Sequence, residues 1–270
     1  MMKSSSFSHA GGRFMGSLFD LPHLLYIVIS LGVTVLLLIY AKKTLVRQPS
    51  KDRFLKMFGL LTFFLHVSVL WVDFIKNGAA SVPDNVLFPI YFCNLSMYML
   101  LLTAFVEDKE SKFYRFVSVM TAYGGFFGAM ISLMYPTYYL GSASMFEWGV
   151  FKSMTSHSAM LVGSLWLFVG GYVPIRKSNT FVYFGGLLLY GGIGLAVNAI
   201  FASAGLHDPN AMYLSAPPLS EAPFLSCWTI AGLMILSIHG FTLAWQKIAA
   251  TREERGDAMN HEGSVATAGR

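Results

Sequence analysis

Seven apolar stretches of about 20 residues dominate this chain, at roughly 22–41, 56–75, 86–106, 113–134, 148–171, 180–203 and 224–245. As a helix rising 1.5 Å per residue, about 20 residues cross a hydrocarbon core of roughly 30 Å. A soluble core helix does not need runs this long, and a composition of 55% hydrophobic and 12% charged residues fits the same class. The sequence predicts an all-α integral membrane protein, a bundle of seven transmembrane helices.

Charge gives the predicted orientation. Lys42, Lys43, Arg47, Lys51, Arg53 and Lys56 follow the first stretch, Lys109, Lys112 and Arg115 the third, and Arg176 and Lys177 the fifth. Lys247, Arg252, Arg255 and Arg270 lie in the C-terminal tail, and only Lys3, Arg13, Lys76 and Lys152 fall on the opposite side. By the positive-inside rule the N-terminus lies outside and the C-terminus in the cytoplasm. The net charge of +5 follows from this topology and from anionic lipid headgroups. The basic clusters carry no interleaved aromatics, which argues against nucleic acid as a partner.

The expected organisation is an extracytoplasmic tail over 1–21, a membrane domain over 22–246 and an unstructured cytoplasmic tail over 247–270. The first stretch is too long for a signal-peptide core and lacks a small-x-small cleavage site, so it is expected to be retained. Short loops make consecutive spans antiparallel neighbours. Small-residue patches at Gly124, Gly125 and Gly128, and at Gly191, Gly192 and Gly194, suit close helix packing.

Polar residues inside spans are costly in hydrocarbon and therefore informative. His66 and Asp73 lie in the second stretch, Cys93 and Asn94 in the third, Lys152, Thr155, Ser156 and His157 in the fifth, and Asn198 in the sixth. His207, Asp208, Asn210 and Tyr213 follow in an outer loop, and Cys227 and His239 belong to the seventh stretch. Apart from His66 and His239 the set sits in the predicted outer half, as a shared polar cavity opening outward would require. Cys93 is a candidate nucleophile, His157 its base, and Asn94 an amide donor to an oxyanion. Two plainer readings compete: Cys93 as a small packing residue, or a Cys93–Cys227 disulfide. Lys152 reads as snorkelling to the headgroups. His66 and Asp73 share a helix face, but no HxxxH or HExxH accompanies them, so neither a metal nor a cofactor is expected. A retinal Schiff base is excluded because the seventh stretch has no lysine before Lys247.

The run Leu87-Phe88-Pro89-Ile90-Tyr91-Phe92-Cys93-Asn94-Leu95-Ser96 resembles the opening of the third span in YwaF-like bacterial integral membrane proteins. Met134-Tyr135-Pro136, the helical His157-Ser158 pair, and Asn210-Ala211-Met212-Tyr213-Leu214 with Pro217-Pro218 follow that family's order over roughly 56–245. Tyr91 stands where many members carry His or Gln, Met145-Phe146-Glu147-Trp148 lacks the Arg common before the span-five His, and Ala211 replaces a Tyr. The resemblance implies a relationship to a vertebrate multi-pass acyltransferase acting on ether phospholipids. It makes Cys93 the acyl acceptor and implies residence in the bacterial cytoplasmic membrane.

Two functions are thus expected in competition. In the first, a lipid-directed acyltransferase or hydrolase uses Cys93, His157 and Asn94 on a phospholipid or acyl substrate drawn from membrane lipids. In the second, a transporter or ligand-binding sensor uses the same cavity without catalysis, lined by Tyr91, Asp73, Asn198, Asn210 and Tyr213.

Overall fold

The computed structural model describes residues 16–78, 86 and 88–268, and the side chains of Asp73, Lys76, Asn77 and 252–268 lie outside that description. The described residues are all helix and loop. The helices are α1 (Leu21–Thr44), α2 (Gln48–Val67), α3 (Val69–Asn77), α4 (Phe92–Phe105), α5 (Lys112–Met134), α6 (Trp148–Val169), α7 (Lys177–Ser203) and α8 (Cys227–Ala268). With α2 and α3 nearly continuous through Ser68, they make seven rods, one for each apolar stretch. The final helix runs on to Ala268, through the tail that composition alone leaves without structure.

Five rods are long and apolar enough to cross a membrane: Leu21–Thr44, Gln48–Val72, Lys112–Met134, Lys177–Ser203 and Cys227–Thr251. The other two depart from the even pattern for separate reasons. Helix α4 has 14 residues, about 21 Å of helix, because Pro89 lacks an N–H and Tyr91 is extended at φ −103° and ψ 152°. Residues 88–91 of the third stretch are therefore irregular backbone. Helix α6 is less apolar because Lys152, Ser156 and His157 are buried within protein instead of facing lipid. It is the hub of the bundle, packed against α1, α2, α4 and α5.

Ends are set by local chemistry. Asp20 caps α1 by accepting from His23 N at 2.9 Å, and Ser111 caps α5 by accepting from Tyr114 N at 3.0 Å. The C-terminal carbonyls of α6 are met by lysines at the end of α1 and the start of α2: Lys42 Nζ donates to Val169 O at 3.0 Å and Lys51 Nζ to Gly170 O at 3.1 Å. Arg115 at the start of α5 reaches Asn179 at the start of α7, so the basic loops gather at one end of the bundle. The small-residue patches act unequally. A Cβ on Gly128 would lie 3.2 Å from Cys93 Cα, so glycine there lets α4 and α5 touch; Gly191 and Gly192 meet nothing within 4 Å. The outward faces of α1 and α8 are apolar and exposed, with Val28, Ile29, Leu36, Trp228 and Leu236 all more than 60% accessible, as lipid-facing surface requires.

Candidate functional site

Because α4 begins only at Phe92, Cys93 stands in the first helical turn and not two turns inside a long span. Its sulfur sits by the N–H groups of Cys93 and Asn94, with the Ser132 hydroxyl of α5 alongside and the Lys152 ammonium nearby. The first N–H groups of a helix have no intrahelical acceptor, so this is a place where an oxyanion can be hydrogen-bonded. Asn94, only 3% exposed, folds its side chain back so that Oδ1 accepts from Tyr91 N at 3.1 Å. The amide oxygen is thus the cap of α4, and an oxyanion-donor role falls to Nδ2.

His157 lies on the stripe of α6 that faces α5. Its Nδ1 is 2.6 Å from Ser153 O, and a carbonyl only accepts, so Nδ1 carries the proton and Nε2 is the basic nitrogen. That Nε2 is buried without a hydrogen-bond partner among the described residues. One turn inward, Met160 packs 3.5 Å from the position a Cβ on Gly128 would take, and Cys93 Cβ lies 3.4 Å from the same point. Cys93 and Met160 therefore flank Gly128 of α5, and among the described residues no hydrogen bond joins Cys93 to His157. Both Cys93 and Cys227 are free thiols, so the disulfide reading does not hold in this structure.

The cover comes from the loop after α7. Met212 N donates to Ile90 O at 2.8 Å, Ala211 N donates to Asn198 Oδ1 at 2.8 Å, and Ala211 is fully buried. The first of these bonds satisfies a carbonyl of the irregular backbone before α4, which is tolerable at membrane depth only when protein encloses it, and the second ties the loop to α7. A Cβ on Gly194 would approach Met212 Cγ to 2.8 Å, so the missing side chain leaves room for the loop. Asn210 accepts from Ser215 N and Ala216 N at 2.9 and 3.0 Å. The loop ends with the Tyr213 ring stacked on Tyr91, centroids 5.7 Å apart, close to Cys93 and Tyr135. Asn210, Met212 and Tyr213 hold positive φ of 49°, 55° and 56°, a conformation unfavourable for side-chain-bearing residues and common where strain is kept for a purpose.

Asn198 and Asn210 thus hold the loop in place, whereas Tyr91 and Tyr213 form the roof over Cys93. The side chain of Asp73 lies outside the described residues. Lys152 is a correction: it does not snorkel but is 4% exposed, with Nζ 5.1 Å from the centre of the Tyr138 ring. Sequence reasoning missed Ser132 and Tyr135. Ser132 continues the small-residue series Gly125, Gly128 at helical spacing, a signal visible in the sequence.

A second polar knot, also missed, closes the same end of the bundle. Tyr139 OH donates to both oxygens of Asp20 at 2.7 and 2.8 Å, and His23 Nε2 lies 2.8 Å from Leu133 O while Nδ1 accepts from Phe19 N at 3.0 Å. Burial pushes the Asp20 carboxyl up, but hydrogen bonds from Ser17, His23 and Tyr139 outweigh it and hold the group below its ordinary value of 3.8. Burial first, and then the Asp20 contact, pushes the Tyr139 phenol up.

The TMEM164 family model matches residues 18–245, which covers the first six rods, the roofing loop and the last rod as far as residue 245. The chain belongs to the TMEM164 family. It is accordingly a multi-pass integral membrane protein, and the matched family goes by that description and not by the YwaF-like name. No curated protein and no solved structure matched the chain.

Proposed function

We propose that this TMEM164-family protein transfers or hydrolyses an acyl chain of a membrane phospholipid through Cys93. The observation that carries the reading is the placement of the Cys93 sulfur at the start of α4, beside Ser132 and Lys152 and under the Tyr91–Tyr213 stack. In the reaction His157 Nε2 takes the thiol proton as the sulfur attacks an ester carbonyl. The carbonyl oxygen becomes an oxyanion held by N–H groups at the helix start, with Asn94 Nδ2 as a further donor. The C–O ester bond breaks, a thioester forms on Cys93, and the departing lyso-lipid oxygen recovers the proton from His157. A lyso-phospholipid hydroxyl, or water in the hydrolytic variant, then attacks the thioester and restores the thiol. Lys152 supplies a cation for the substrate phosphate. The reading requires a movement that brings His157 Nε2 to the Cys93 sulfur. The positive-inside asymmetry supports a site in the leaflet away from the cytoplasm.

The absence of a Cys93–His157 hydrogen bond among the described residues favours a second reading, a non-catalytic transporter or ligand-binding sensor that uses the same roofed site. Lipid profiling of cells expressing wild type, Cys93→Ala or His157→Ala at matched membrane levels separates the two. The catalytic reading expects an acyl-chain change in phospholipids that both substitutions abolish. A profile identical to cells without the protein contradicts it and favours binding or transport.

A further inference from the structure

At the basic end of the bundle, far from Cys93, a groove of about 610 Å³ opens between α5 and α7. Lys112 and Arg115 stand at its mouth, and its walls are apolar: Phe116, Val182, Gly185 and Leu189. Arg115 Nε and Nη2 donate to Asn179 Oδ1 at 3.4 and 3.2 Å, and Asn179 Nδ2 is itself tied to Pro174 O at 2.8 Å. The guanidinium is thus aimed by a neutral amide that leaves its charge and its other N–H groups uncommitted. Among the described residues neither cation has a carboxylate partner. Helices α5 and α7 both begin here, so two helix N-termini add positive potential to that of Lys112, Arg115, Arg176 and Lys177.

We propose that this groove holds one anionic phospholipid, its phosphate against Lys112 and Arg115 and an acyl chain along Phe116, Val182, Gly185 and Leu189. The shape argues for a lipid over a soluble anion. From Phe181, one turn inside the start of α7, to Leu189 the groove follows about 12 Å of helix, from headgroup level toward hydrocarbon depth. Phe181 and Leu189, at 69% and 48% exposed, present the apolar surface that a chain covers. The sign of charge argues for an anionic headgroup, because a zwitterionic one brings its own ammonium into a mouth already lined with cations. This lipid is no substrate: Arg115 and Gly128 are separated by about 20 Å along α5.

Native mass spectrometry after reconstitution with equal phosphatidylglycerol and phosphatidylcholine tests it. Wild type is expected to retain one phosphatidylglycerol in preference to phosphatidylcholine. The double variant Lys112→Gln, Arg115→Gln is expected to lose that preference by about fivefold per charge removed. Gly185→Leu, whose added side chain enters open space and improves helix propensity, keeps every charge but fills the groove, and is expected to lose the retained lipid. The control Lys43→Gln, Arg47→Gln is expected to behave as wild type. Equal retention by all variants overturns the proposal. So does retention by Gly185→Leu alongside loss in the charge variant, which signifies diffuse attraction and no seat, and so does equal loss in the control.

Discussion

His157 presents an unprotonated Nε2 because Ser153 O holds the proton on Nδ1, and that bond fixes both ring orientation and tautomer. His157→Gln can keep the bond to Ser153 through its amide nitrogen but has no basic nitrogen. Turnover of phospholipid is expected to fall about 100-fold or more, with little change in thermal stability; an unaffected rate removes His157 from the chemistry. The Asp20–Tyr139 contact makes a separate prediction about stability. Tyr139→Phe is expected to cost about 1–2 kcal/mol, because a hydrogen bond to a charged acceptor is lost. Since the folded pKa of Asp20 lies below its ordinary 3.8, its contribution is full above that value and lost as pH falls through the lower folded value. Thermal unfolding at neutral pH and near about pH 3 should therefore show a smaller acid-side decline in Asp20→Asn than in wild type. At this scale the sequence offered candidate residues but not their company. Lys152 reads as a snorkelling cation until α6 is seen to be enclosed, and enclosure is a property of neighbours far away in sequence.

At the scale of elements, the break before α4 and the loop after α7 belong together. Pro89 announces the break in the sequence, yet its consequence, a free Ile90 carbonyl answered by Met212 N, needs a contact across more than a hundred residues. Gly194 is the element-level hinge of that contact. Gly194→Leu is expected to push the loop off the bundle and raise the alkylation rate of Cys93 by a small thiol reagent about tenfold, the effect of about 1.4 kcal/mol on the closed state. An unchanged rate shows that the loop is not the cover. The strained φ values at Met212 and Tyr213 could not be read from sequence, because no glycine marks them.

For the whole molecule, hydropathy made all seven rods legible, since length and apolar content are summed along the chain. Two of them, α4 and α6, fall outside the five long apolar spans, because contact with protein is not summed along the chain. Helix α4 is too short and α6 too polar to meet lipid evenly, and both lie where protein surrounds them. The gathering of basic loops at one end, seen in the contacts of Lys42, Lys51 and Arg115, agrees with the charge asymmetry from which the orientation was predicted. In a Cys93→Ala, Cys227→Ala background, a cysteine at Phe146, 88% exposed, is expected to label from outside intact cells. A cysteine at Val46, 76% exposed, is expected to label only after the membrane is opened. The reverse pattern inverts the proposed leaflet.

The most direct test of the central claim is intact-protein mass spectrometry after brief exposure of the purified protein to phospholipid. The account predicts one acyl mass per chain, mapped to Cys93, removed by hydroxylamine and absent from Cys93→Ala. Unmodified Cys93 under conditions that turn over lipid, or an acyl group that persists in Cys93→Ala, contradicts it.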